Sequence, residues 1–70
     1  MKKYTEYSVE VRIADTWKFI RQVDIFDTYE EAESFINYVA EELPKDQEYI
    51  IMGIDYEEGS EMCYYEEVRR

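Results

Sequence analysis

Residues 27–44 read DTYEEAESFINYVAEELP, and the order of elements hangs on this stretch. Ala32, Phe35, Ile36, Val39 and Leu43 recur at helical spacing and form one apolar stripe, with Glu30, Glu33, Asn37 and Glu41 largely opposite. Thr28 followed by Glu31 has the spacing of a capping box. Glu30, Glu31 and Glu33 sit where the positive end of a helix dipole favours acids. Pro44 cannot continue a helix. The spacing therefore predicts one helix, capped by Thr28 and running to Leu43.

On the N-terminal side, residues 7–13 alternate strictly: Tyr7, Val9, Val11 and Ile13 point one way, and Ser8, Glu10 and Arg12 the other. Ala14-Asp15-Thr16 reads as a polar turn. Residues 17–26 resume the alternation with Trp17, Phe19, Val23 and Ile25 on one face, interrupted by Arg21, with Ile20 opposite. A first hairpin follows from this. On the C-terminal side, residues 48–56 read as a strand with Ile50, Met52 and Ile54 on one face and Tyr49, Ile51 and Asp55 on the other; Gly53 suggests a bulge or a close approach. Glu57-Glu58-Gly59-Ser60 is a turn, and residues 61–68 a further strand with Met62, Tyr64 and Val68 on one side. The expected fold is α+β, a single domain over residues 1–70: a two-layer β-β-α-β-β arrangement, a four-stranded sheet with one helix packed on one face. The sheet's uncovered face is expected to carry Ile20, Tyr49, Ile51, Cys63 and Tyr65 among Glu10, Lys18, Asp24 and Glu67, a candidate contact surface.

The chain of 70 residues carries 18 acidic and 8 basic side chains, a formal net charge of −10, and no histidine. It is too apolar, at 46% hydrophobic and 17% aromatic, for a disordered acidic tail. Bulk repulsion excludes a protein that binds nucleic-acid phosphates directly. One cysteine, Cys63, points to a reducing compartment, and the polar Tyr4-Thr5-Glu6 after Met1-Lys2-Lys3 does not read as a signal peptide. A cytoplasmic protein without a membrane span is expected.

Enzymatic chemistry finds little footing. The carboxylate pairs Glu30/Glu31, Glu41/Glu42, Glu57/Glu58 and Glu66/Glu67 are adjacent in sequence, so they point about 100° apart on a helix or to opposite faces of a strand, not into one pocket. Cys63 has no histidine to activate it, and Glu61 and Glu66 nearby disfavour a thiolate. The oxygen-rich run 55–61 fails the EF-hand pattern, with Ser60 where glycine is needed. Gly53 and Gly59 are too few for a phosphate loop. No catalytic residue, metal or cofactor is expected.

The acidity is concentrated. Residues 1–23 sum to +2, whereas residues 24–68 sum to −14 with Lys45 the one base. Glu30, Glu33 and Glu41 on the helix, with Asp55, Glu57, Glu58, Glu61, Glu66 and Glu67 on the last hairpin, are expected to merge into one negative surface. Tyr29, Tyr38, Tyr56, Tyr64 and Tyr65 lie among them. Carboxylates interleaved with planar rings imitate phosphates and bases, so a groove lined by Arg and Lys would bind them as it binds nucleic acid. Glu57 and Glu58 are the expected lead anchors, with Tyr56 and Tyr65 as stacking anchors.

Through the segments Asp27 to Glu42 and Asp55 to Glu67, the chain resembles the small acidic inhibitors encoded by phages and mobile elements: anti-CRISPR proteins, uracil-DNA glycosylase inhibitors and other nucleic-acid mimics. The resemblance is one of size, charge and element order and carries no diagnostic motif. It implies a non-enzymatic inhibitor whose partner is a CRISPR effector or DNA-processing enzyme with a basic nucleic-acid-binding groove. Some members of that class instead lock a conformation or force dimerisation. The competing expectation is a small homodimeric structural or regulatory module, paired through the open sheet face, whose acidity is incidental.

Overall fold

The structure, a computed structural model, describes residues 4–55 and 63–69, with the side chains of 55, 63–67 and 69 left out of the description. Its elements are β1 (Glu6–Ile13), β2 (Phe19–Phe26), α1 (Tyr29–Tyr38), β3 (Gln47–Asp55) and β4 (Cys63–Arg69). The strands lie in the order β2-β1-β3-β4, and every neighbouring pair is antiparallel. β2 and β3 thus run in the same direction with β1 between them, and α1 lies on the connection that crosses over β1.

The expected helix on a four-stranded sheet is corrected by what the helix covers. The two-layer unit is a three-stranded antiparallel sheet, β2-β1-β3, with α1 packed on it. β4 continues the backbone ladder from β3 at one edge and adds no comparable contact with the helix among the described residues.

The core lies between α1 and this three-stranded unit. Tyr7, Val9 and Val11 of β1, Tyr49 and Ile51 of β3, and Ala32 of α1 are buried together. Ala32 is fully buried, and its small side chain lets the helix backbone come close to the sheet. Tyr4, Val23, Phe26, Tyr29, Phe35 and Ile36 pack around the edge. The rings of Tyr4 and Tyr29 each meet Tyr7 edge-on at 6.1 Å, and Phe26 meets Phe35 at 5.4 Å.

This core reverses the face assigned to β3. Tyr49 and Ile51 were expected on the uncovered face; they point at the helix and are buried. Cross-strand partners share a face, and Val9 pairs Ile51 while Val11 pairs Tyr49. The helix-free side therefore receives Ile50, opposite Glu10, and Met52, opposite Ser8. A one-residue change of parity moves every side chain of a strand to the other face. β2 departs from its expected alternation for a different reason. Its ladder with β1 shifts register between Val9 and Glu10 and again between Val11 and Arg12. The irregularities let Val23 and Phe26 both reach the core, while Phe19 and Ile25 fall on the helix-free side opposite Arg12 and Ser8. At Gly53 no register shift occurs on either side. It is buried opposite Tyr7, where the missing side chain leaves room for that ring.

The helix is shorter than its apolar spacing predicts. The capping box forms: the Thr28 Oγ1 accepts from the Glu31 amide and the Glu31 carboxylate accepts from the Thr28 amide, both at 3.2 Å. The far end is Tyr38, with Val39 as C-cap. Pro44 biases Leu43 to extended backbone, but the helix ends earlier still, where the Phe35 carbonyl accepts from both the Val39 and the Ala40 amides at 2.9 Å. Residues 40–44 unwind, yet Ala40 and Leu43 still pack against the core, and the Tyr49 hydroxyl donates to the Glu41 carbonyl at 2.6 Å. Val39, expected in the buried stripe, is 68% exposed.

Candidate functional site

Three groups of chemistry-bearing residues are placed by this fold: the acids of α1 and its flanks, an apolar groove beside the helix, and a polar cluster on the helix-free face.

Successive helix residues are 100° apart, and Ala32 marks the direction of the sheet. Glu30, Ser34, Asn37 and Tyr38 then face outward, with Glu31 and Glu33 on the two flanks. Glu30 and Glu31 are exposed, Glu33 is half-buried, and Glu41 and Glu42 are exposed on the unwound segment beyond the helix. Adding Asp27 and Asp46, the stretch 27–46 carries seven acids against Lys45. Glu30, Glu33 and Glu41 were expected to share one acidic surface: all three lie on the helix layer, though Glu41 sits past the last helical turn.

Of the remaining site residues read from sequence, Tyr56, Glu57, Glu58 and Glu61 lie outside the described residues. Asp55, Tyr65, Glu66 and Glu67 are placed by backbone register only: opposite Cys63, Gly53, Met52 and Ile51 respectively. Tyr29 leaves the proposed acidic field, since its ring packs on Tyr7 at the edge of the core. Tyr38 stays in it and is 85% exposed.

A shallow, open groove of about 500 Å³ runs along α1, with Phe26 its contribution from β2. Phe26 and Phe35 form its floor, Tyr38 and Val39 one end, and Glu30 and Glu31 stand at the rim. Sequence reasoning missed it because Phe35 and Val39 were both assigned to the buried stripe.

The third group was also missed. Arg12 and Glu48 are direct cross-strand partners on the helix-free face, and both are buried. The Arg12 Nε lies 2.7 Å from Glu48 Oε2 in a charge-assisted hydrogen bond. The guanidinium lies over the Trp17 ring at 5.6 Å, and Trp17 meets Phe19 edge-on. The Asp15 amide points at the same carboxylate oxygen from 3.4 Å, and Asp15 takes the positive φ of 62° that turns the hairpin. Nearby, Gln22 donates to Ser8, and Ser8 to Glu10, at 2.9 and 3.0 Å. The hydrogen bonds fall into two sets: Arg12 and the Asp15 amide on Glu48 Oε2, and Gln22 on Ser8 with Ser8 on Glu10. The cluster fastens the first hairpin to β3.

Among the described residues no group of three or more metal-ligating side chains converges, and no helix is long and apolar enough to cross a membrane. No protein-family model, curated protein or solved structure matches the chain.

Proposed function

We propose that this chain is a non-enzymatic acidic inhibitor that binds a basic nucleic-acid-handling protein, an anti-CRISPR or similar anti-defence role, by occupying its DNA- or RNA-binding groove in the bacterial cytoplasm. One observation carries the reading. Glu30, Glu31, Glu41 and Glu42 of the helix layer stand exposed, while Arg12 is held by Glu48 on the opposite side of the sheet. Exposed carboxylates and an outward Tyr38 offer a cationic groove both charge and a stacking ring.

The test is capture from a bacterial lysate at low salt, followed by elution with competing DNA and, separately, with rising salt. A nucleic-acid enzyme released by DNA is the expected result. Its DNA binding should then be inhibited by the purified chain, and the Glu30→Lys/Glu41→Lys variant should inhibit less at low ionic strength. Partners indifferent to DNA, or inhibition unchanged by charge reversal, would overturn the reading.

A second reading, a homodimer through the helix-free face, is favoured by Phe19 and Ile25, which are exposed on that face with Trp17 beside them. Light scattering across a concentration series separates the two: a dimer without affinity for basic proteins supports the second.

A further inference from the structure

The groove along α1 is apolar at its floor and acidic at its rim, and that combination restricts what fills it. Phe26 and Phe35 are only partly buried by the protein itself, and Tyr38 and Val39 project 85% and 68% exposed from the helix end. Among the described residues no basic side chain lines it. Glu31 gives one carboxylate oxygen to the helix cap, and both Glu30 and Glu31 are exposed, with acceptor capacity left for a donor. An occupant must therefore bring an apolar side chain to the floor and a cation to the rim.

We propose that the groove receives a basic amphipathic segment of a partner protein, with one or two large apolar side chains on Phe26 and Phe35 and a Lys or Arg against Glu30. Charge complementarity selects this occupant. A second copy of the chain seated symmetrically would bring two sets of Glu30 and Glu31 together, on molecules that each carry −10. An anionic lipid surface is repelled for the same reason. The segment docks by its apolar face and is registered by its cation, as amphipathic helices dock in grooves elsewhere. The inference rests on the partner being cationic and not on its handling nucleic acid.

The experiment titrates the ¹⁵N-labelled chain with two synthetic peptides of one composition. In the first, Leu recurs at i, i+3, i+4 and i+7 among Lys residues; in the second, the same residues are scrambled so that no apolar face forms. The first should saturate and shift the amides of Phe26, Glu30, Phe35 and Val39. The scrambled peptide should bind about tenfold more weakly or worse, and the Tyr38→Ser/Val39→Ser variant should lose about as much, since two exposed apolar contacts vanish. Both residues are exposed, so the variant keeps its fold, which circular dichroism checks. Equal binding of the two peptides, or full affinity in the variant, would leave only charge at work and overturn the groove while the acidic-surface reading stands. Shifts confined to the Trp17–Phe19 hairpin would overturn it too, as would a dimer abolished by the double variant. If the first peptide binds as expected but no DNA-displaceable partner is captured, the inhibitor reading fails and the groove survives.

Discussion

Arg12 and Glu48 show how one pair of residues ties together parts of the chain 36 positions apart. A buried ion pair repays its desolvation only with good geometry, and removing one partner strands the other charge. The Arg12→Met or Glu48→Ala variant should therefore lose about 3–5 kcal/mol. A domain of this size has only about 4–10 kcal/mol in total, so either single variant should lose a large part of its stability. The double variant Arg12→Met/Glu48→Leu should recover most of the loss, because neither charge remains to be desolvated. Urea midpoints for the two singles and the double make the comparison. Singles within 1 kcal/mol of the parent would mean that water reaches the pair. Arg12 was legible as one member of an alternating strand. That its partner would be Glu48 was not, because pairing depends on strand order and register, which a local pattern does not contain.

At the scale of elements, β1 and the start of α1 could be read before any fold was known, and β3 and the end of α1 could not. β1 alternates apolar and polar residues, so only one face can be buried. Residues 49–52 read Tyr-Ile-Ile-Met, apolar on both parities, so the pattern leaves the core face open. Pairing settles it: Val9 and Val11 choose Ile51 and Tyr49 as neighbours, and the helix covers them. The consequence is measurable. Ile51→Ala removes a fully buried side chain from beneath the helix and should cost about 2–5 kcal/mol. Met52→Ala, half-buried on the helix-free side, should cost about half of that or less. Thermal melts of the two variants would reverse in order if β3 presented its other face to α1. The helix end was misread for a related reason. Apolar spacing fits a helix as far as Leu43, where Pro44 stops it, and carries no sign that the backbone closes off at Phe35, so Val39 was counted into a core from which the chain had already turned away.

For the whole molecule, the deciding quantity is how the −10 is distributed over a body of 38 × 24 × 19 Å. At about 10 mM salt the screening length is about 30 Å, comparable with the molecule, so each carboxylate of the helix layer feels most of the others. At about 0.15 M it falls to about 8 Å, and only immediate neighbours repel. If the acids stand unneutralised, salt relieves self-repulsion in the folded state and the melting temperature should rise between these two conditions. If local ion pairs held them, salt would weaken those pairs and the melting temperature would fall. Partner binding must respond with the opposite sign, because the same screening weakens attraction between the acidic layer and a cationic groove. A melting temperature that climbs with salt while affinity for the captured partner declines is the expected joint outcome, measured on one preparation by differential scanning fluorimetry and fluorescence anisotropy. Stability and binding falling together would mean that the carboxylates are committed within the fold and have no free field to offer a partner.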